Sequence, residues 1–172
     1  MDWFKQQRVQ KLLGDTLLIW SKEHADIGYR QGMHEIAGYI IWVELHTEGR
    51  NISTQPRCVY NLFETLMDNA KSLYSSAEDG STSPITRRCI RIQESLLRVL
   101  DPQLYNRLIQ LKLEPQIWGI RWTRVLFSRE FEFDDILTMW DLLFAADPKL
   151  GLIDYICCAL LMRVRGSGWC TN

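Results

Sequence analysis

A short segment flanked by glycines, Gly28-Tyr29-Arg30-Gln31-Gly32, carries side chains that could act on a phosphate. It lacks the Gly-Lys-Ser/Thr ending and the preceding β-strand of a nucleotide-binding P-loop, which excludes that type of site. The segment does precede a predicted helix, where free backbone N–H groups and the helix dipole favour an anion. The Gln31 amide could reach a phosphate or a water molecule there. The alternative is an ordinary turn with a polar side chain.

Other residue types that often carry chemistry show no comparable pattern. His24, His34 and His46 lie ten and twelve residues apart, and no carboxylate or thiol completes a metal-binding spacing, so we expect ordinary surface or capping histidines and no metal site. The five cysteines are irregularly spaced and include no Cys-x-x-Cys, which predicts reduced thiols in a cytoplasmic protein. The neighbouring Cys157 and Cys158 are expected to be small core residues. No serine or cysteine lies in a nucleophile elbow.

The charge balance argues against nucleic acid as a partner. Twenty Lys and Arg residues against 21 Asp and Glu residues leave a net charge of −1. The basic cluster at residues 87–91 therefore indicates a solvated helix face rather than a stripe that binds nucleic acid. The longest apolar runs, Ile40–Val43 and Ile156–Met162, are too short for a transmembrane segment.

The secondary structure around these residues is predicted to be helical. The composition, 47% apolar and 24% charged over 172 residues, is typical of a globular domain. Apolar residues recur at three- and four-residue steps, as in Val9, Leu13, Leu17 and Trp20, whereas period-two alternation is hard to find. Helices are predicted near residues 3–24, 33–46, 57–75, 85–100, 102–113, 115–128, 134–146 and 152–165.

Two polar stretches separate groups of predicted helices. Thr47–Pro56 is predicted to be a loop. Ser75–Pro84, which is rich in Ser, Glu, Asp, Gly and Thr, is predicted to be the most flexible segment. We therefore expect an N-terminal helical half over about 1–75, a linker over about 76–85 and a C-terminal helical half over about 86–165.

Three segments together are far more specific than any single residue. They are Tyr29-Arg30-Gln31-Gly32-Met33, the stretch from Ile120 through Phe131, and Trp140-Asp141-Leu142-Leu143-Phe144-Ala145. In this order, the chain from about Trp3 to Leu161 resembles the TBC domain, the catalytic module of Rab GTPase-activating proteins. The Gln-Gly-Met-His-Glu and Leu-Ile-Asp-Tyr-Ile stretches are most similar to the endosomal, retromer-associated branch of that family.

The resemblance implies an all-α, V-shaped fold with two helical subdomains, one TBC domain over residues 1–172. It implies a Rab-family GTPase as partner, carrying GTP and its own magnesium, and no cofactor in this chain. Gln31 matches the family's glutamine finger, which positions the attacking water in place of the GTPase's own glutamine. Tyr29 and Arg30 become candidates for contacting the Rab, although Tyr29 could instead pack under the glutamine loop. The domain would then associate peripherally with endomembranes from the cytoplasm, through the membrane-anchored Rab.

One part of the family pattern is missing from the sequence. The family's arginine finger lies in an Ile-x-x-Asp-x-x-Arg motif before the first matching helix, and no such motif occurs among the 172 residues. Arg8 is the nearest arginine, but it has the wrong neighbours and is predicted to lie inside a helix. We therefore expect a fold that is incomplete at one or both ends, or a natural form without the arginine. Either would be a weak activator, because such an arginine contributes roughly 10³–10⁵ in rate. The alternative is a non-catalytic helical module that binds a Rab or a trafficking scaffold.

The matched segments also contain residues that we expect to be structural. Their aromatic residues recur at helical spacing and are predicted to lie in the core: Trp122, Phe127, Phe131, Trp140 and Phe144. Their charged residues are predicted to be buried and to fix contacts between helices: Arg121, Glu130 and Asp141.

Overall fold

The chain is all-α in the part that its computed structural model describes, residues 2–47, 55–77 and 81–166. No strand occurs within these ranges. The all-α class predicted from the periodicity is therefore confirmed. Packing divides the chain into two compact units, Met1–Tyr74 and Ser75–Asn172.

The first unit contains three long helices. A 3₁₀ turn, Asp2–Lys5, precedes α1 (Gln7–Glu23), which is followed by α2 (Met33–His46) and α3 (Gln55–Ala70). The helix predicted over 3–24 is thus interrupted at Gln6, which has an extended backbone. Most of the loop predicted over 47–56 lies outside the described residues.

Apolar side chains from all three helices form the core of the first unit. Val9, Leu12, Ile41 and Val59 are buried together. Half-buried side chains pack around them: Trp3, Phe4, Leu13, Ile40 and Leu45. A fully buried side chain of this size contributes about 1.5–3 kcal/mol relative to an exposed one, so this cluster holds α1, α2 and α3 together.

The second unit begins with a long helical segment of mixed type. Helix α4 (Pro84–Arg91) runs into a π-helical segment, Ile92–Leu97, and then into the short α5 (Arg98–Leu100). The Ser83 hydroxyl accepts a hydrogen bond from the Thr86 N–H, so the segment starts with a capping residue. The part of the predicted linker at residues 78–80 lies outside the described residues.

Within the described residues, four further helices follow in the second unit: α6 (Pro102–Gln110), α7 (Gln116–Arg124), α8 (Phe133–Ala146) and α9 (Ile153–Gly166). Helix α4 packs against α7, and the π-helical segment packs against α9. Burial raises the pKa of the Cys89 and Cys158 thiols to about 11 and also raises that of Cys157. These thiols are therefore unreactive core groups, as predicted for the pair on α9.

The helix predicted over 115–128 ends earlier, at Arg124. Leu126 and Phe127 have φ angles of 48° and 63°, the left-handed region that L-residues rarely adopt. Both side chains are buried, and the indole N–H of Trp140 donates to the Leu126 carbonyl at 2.8 Å. A tertiary contact from α8 therefore stabilises a turn where the local sequence favours continued helix.

The residues predicted to be structural differ in their burial. Phe127 and Trp140 are buried, whereas Trp122, Phe131 and Phe144 are half-buried. The prediction of buried charge is wrong for two residues. Asp141 is exposed, and the Arg121 side chain is 56% exposed, so both keep most of their hydration. Glu130 is half-buried and pairs with Arg121 at 2.7 Å.

No helix among the described residues has both the length and the apolar character needed to cross a bilayer.

The Gln31 loop as a candidate functional site

The segment between α1 and α2, residues 24–32, is called the Gln31 loop below. It starts where His24 ends α1, with the His24 N–H donating to the Trp20 carbonyl at 2.9 Å. The Gly28 N–H then donates to the His24 carbonyl at 2.7 Å. Gly28 and Gly32 have φ angles of 63° and 105°, which glycine adopts without the steric penalty of a Cβ atom. These two glycines allow the chain to reverse direction between the helices.

His24 attaches the start of the loop to α3. Its Nε2 donates to the Glu64 carboxylate, with distances of 2.9 Å and 3.2 Å to the two oxygens. The imidazole also stacks on the Trp20 ring at a centroid distance of 4.4 Å. The Trp20 ring in turn meets Phe63 edge-on, and both of these side chains are buried. The loop therefore leaves α1 from a base that is fixed on two sides.

Hydrogen bonds also close the tip of the loop. The Met33 N–H donates to the Arg30 carbonyl at 3.2 Å, and the Arg30 N–H points at the Met33 sulfur at 3.3 Å. The Tyr29 hydroxyl lies 2.8 Å from Nδ1 of His34, the second residue of α2. Ile27 and Met33, on either side of the tip, are buried. The backbone around the tip is thus held from both helices.

Gln31 differs from Tyr29 in the hydrogen bonding of its side chain. Its side chain is exposed, and its amide has no hydrogen-bond partner within the described parts of the chain. An amide offers one acceptor and two donor positions, so this group can bind a water molecule and a phosphate or peptide group at the same time. The site therefore presents an exposed, unbonded amide from a restrained backbone.

Charged groups of α2 lie close to the loop. Glu35 is in the first turn of α2, where a carboxylate interacts favourably with the helix dipole. Its carboxylate is 3.9 Å from Nε2 of His34. Burial, with a contribution from the Glu35 charge, raises the pKa of the Tyr39 hydroxyl, so that group stays neutral.

Among the described residues, no three His, Cys, Asp or Glu side chains are grouped so that they could hold a metal ion.

The structure brings three of the sequence-predicted residues together in the loop and places Arg8 far from it. Tyr29, Arg30 and Gln31 share the exposed tip of the loop. Arg8 is exposed in the first turn of α1, about 22 Å along the helix axis from Glu23, because an α-helix rises about 1.5 Å per residue. His34 was expected to be an ordinary surface or capping histidine. Its contact with Tyr29 was missed, although the spacing of five residues across a glycine turn could have indicated it.

A second polar group of residues, called the Asp154 cluster below, lies in the second unit. Asp154 is only 3% exposed, and its carboxylate accepts hydrogen bonds from Arg88 Nε, at 2.5 Å, and from Arg91. Arg88 also donates to the Leu150 carbonyl. The prediction of a solvated face at residues 87–91 is therefore wrong for Arg88, which is half-buried because a carboxylate from α9 compensates its charge.

Comparison with known proteins agrees with this fold and these motifs. The family model described as the Rab-GTPase-TBC domain matches residues 2–166. The chain therefore belongs to the Rab-GTPase-TBC domain family, as its motifs predicted.

Several curated relatives carry the TBC name. The chain is 34% identical over 205 residues to human "TBC1 domain family member 5", covering 96% of the chain and 26% of that protein. It is 34% identical over 155 residues to human "TBC1 domain family member 13", covering 87% of the chain and 37% of that protein. It is also 47% identical over 81 residues to "TBC1 domain family member 5 homolog B" of Dictyostelium discoideum, covering 47% of the chain and 8% of that protein. The chain thus spans about a quarter of the length of the first of these relatives.

Proposed function

We propose that this domain accelerates GTP hydrolysis by a Rab-family GTPase and that Gln31 is its glutamine finger. The observation that carries the proposal is the exposed Gln31 amide, which is unbonded within the described chain and lies at the tip of a loop tied to α1, α2 and α3. Membership of the Rab-GTPase-TBC domain family supports the choice of partner.

The chemistry of phosphoryl transfer explains why an amide suits this position. The attacking water must be held in line with the γ-phosphate, and little covalent chemistry is left for the protein. The Gln31 carbonyl oxygen would accept a hydrogen bond from the water, and its NH₂ group would donate to an oxygen of the partner. A loop that is already held in shape loses less conformational entropy when it docks, so more of the binding free energy remains for orienting the water.

The residues beside Gln31 complete the proposed interface. Tyr29 and Arg30 are exposed on the same loop and would contact the Rab around its nucleotide. GTP and magnesium would be brought by the Rab, and the domain would meet endomembranes from the cytoplasm through its partner. The proposed membership of the endosomal, retromer-associated branch rests on the Gln-Gly-Met-His-Glu and Leu-Ile-Asp-Tyr-Ile stretches of the sequence.

The rate expected from these 172 residues alone is modest. They contain no Ile-x-x-Asp-x-x-Arg motif, and Arg8 is about 22 Å along α1 from the end that carries the loop. An arginine finger contributes roughly 10³–10⁵ in rate by stabilising charge on the transferring phosphoryl group. We therefore expect weak acceleration from this chain and strong acceleration once such an arginine is supplied.

Single-turnover GTP hydrolysis by a panel of Rab proteins tests the proposal. The panel is run with the 172-residue chain and with a form extended at its N-terminus by an Ile-x-x-Asp-x-x-Arg segment. Gln31→Ala should lower the stimulated rate of the extended form about 10²-fold, a loss comparable with that of one transition-state hydrogen-bond donor. Gln110→Ala, a change at another exposed glutamine at the end of α6, is the matched control and should leave the rate unchanged.

The alternative, a non-catalytic module that binds a Rab or a trafficking scaffold, predicts a different result in the same assay. In that case a Rab would bind both forms, and neither would accelerate hydrolysis. If no Rab of the panel binds either form, the proposed function is wrong and only the trafficking-scaffold alternative remains.

A further inference from the structure

Tyr29 and His34 face each other across the Gln31 loop. The Tyr29 hydroxyl oxygen and Nδ1 of His34 are 2.8 Å apart, and the two ring centroids are separated by 6.3 Å. Tyr29 precedes Gln31 by two residues and His34 follows it by three, so this contact encloses the tip of the loop. The pair is therefore placed to act on the one amide that the loop leaves unbonded.

The two ends of the tip are attached differently. At one end, the Gly32 carbonyl accepts hydrogen bonds from N–H groups in the first turn of α2, which fixes that end to the helix. At the other end is Gly28, and a glycine backbone rotates more freely than that of other residues. The contact between Tyr29 and His34 joins this second end to α2 and limits that rotation.

We propose that Tyr29 and His34 form a clasp that positions Gln31 for hydrolysis, which makes His34 a positioning residue; this inference rests on the proposed function. The clasp assigns the Tyr29 hydroxyl to the loop itself, while the residue as a whole is 49% exposed and remains available to a partner. A displacement of about 1 Å at a reacting group can cost 10²-fold in rate, so a hydrogen bond that fixes the loop acts on the rate more than on binding.

The test removes the clasp in the arginine-containing extended form and measures hydrolysis at increasing Rab concentration. Tyr29→Phe deletes only the hydroxyl, and His34→Leu deletes both ring nitrogens. Each should lower kcat about 3- to 10-fold, the effect of one hydrogen bond, with KM changed less than twofold. His34→Gln retains a side-chain acceptor and should recover part of the loss. Tyr155→Phe, at an exposed tyrosine on α9, is the control and should leave kcat unchanged.

A double-mutant comparison separates positioning from direct contact with the Rab. If the clasp acts through Gln31, Tyr29→Phe should cause no further loss in a Gln31→Ala background. An equal loss in both backgrounds, or a change confined to KM, would overturn the clasp and assign the Tyr29 hydroxyl to the Rab interface.

Hydrogen exchange of the free domain examines the clasp without any partner. The amides of Arg30 and Met33, which are hydrogen-bonded across the tip, should exchange several-fold faster in Tyr29→Phe than in the parent chain. Unchanged exchange would refute the clasp even if Gln31→Ala is inactive, in which case the proposed function stands. If Gln31→Ala retains full activity, the proposed function fails and the positioning role fails with it, whatever the exchange rates show.

Discussion

The Gln31 loop and the Asp154 cluster are both polar, but they use their hydrogen-bonding groups differently. In the Asp154 cluster, a buried carboxylate accepts from Arg88 and Arg91, and Arg88 also bonds a backbone carbonyl. In the Gln31 loop, the groups around the tip bond one another, and the Gln31 amide points to solvent without a partner in the described chain. The polar groups of the cluster bond one another within the fold, whereas the loop leaves one amide accessible from solvent.

This difference leads to opposite expectations for mutations. Removing one partner of a buried charged pair leaves the other charge desolvated, which strongly lowers the free energy of unfolding. Removing an exposed group that has no intramolecular partner should change stability by less than about 0.5 kcal/mol. Asp154 should therefore matter for unfolding and Gln31 for the partner's chemistry.

The largest effect on stability is expected from Asp154→Ala. The Arg88 side chain is 17% exposed and would lose its counter-ion, so the free energy of unfolding of the second unit should fall by about 3–5 kcal/mol. Urea denaturation monitored by tryptophan fluorescence measures this loss. Arg91→Ala is the matched control, because that side chain is 61% exposed and should contribute less than about 1 kcal/mol. Similar small losses in the two variants would mean that the cluster does not stabilise the fold.

Gly32→Ala should have the next largest effect, and it should affect both stability and rate. The φ angle of 105° at Gly32 is unfavourable for a residue with a Cβ atom, so we expect a loss of about 1–2 kcal/mol together with a displaced loop. Gly14→Ala provides the contrast. Gly14 lies in α1 with open space where its Cβ would be, and alanine there should stabilise by about 0.5–1 kcal/mol. Thermal unfolding of the two variants decides the matter, since two shifts of the same sign would contradict this account.

A smaller effect, with a pH dependence, is expected at Asp101. Its carboxylate accepts from the Leu104 N–H at 3.0 Å and pairs with Arg165 at 2.7 Å. The backbone hydrogen bond and then the arginine lower the pKa of Asp101 below its ordinary value. The unfolded chain thus binds the proton more readily, so this stabilisation is complete above the ordinary pKa of about 3.9 and is lost as the pH falls through the lower folded value.

Asp101→Asn retains a side-chain oxygen that can cap α6 but removes the charge. We expect it to cost about 1 kcal/mol at pH 7 and to reduce the loss of stability on acidification to pH 3. Urea denaturation at the two pH values is the measurement. An identical pH dependence in the parent chain and the variant would show that Asp101 does not contribute through its charge.

Much of the helical framework could be predicted from the sequence. Helix α2 was predicted over 33–46 and spans Met33–His46, because an apolar pattern and a preceding glycine mark its start. The end of α7 was missed for a physical reason. Leu126 and Phe127 are apolar residues that continue the helical pattern, and the bond that stabilises their left-handed turn comes from Trp140, fourteen residues further along.

The candidate site was predictable only in part. Tyr29, Arg30 and Gln31 could be found because they share one short motif. The clasp residue His34 was judged only for its metal-binding spacing, and its contact depends on how the Gly32 turn folds. The Arg88–Asp154 pair joins residues 66 positions apart, which no local pattern reveals.

The central claim is that Gln31 acts on the reacting water rather than on binding of the Rab, and two affinities test it most directly. The arginine-containing extended form and its Gln31→Ala variant are titrated against a Rab loaded with a non-hydrolysable GTP analogue and against the same Rab with GDP and aluminium fluoride, which imitates the transition state. We expect the variant to bind the GTP-analogue form within about twofold of the parent and the transition-state form about 10²-fold more weakly. Equal losses for the two forms would contradict the claim and make Gln31 an ordinary contact residue.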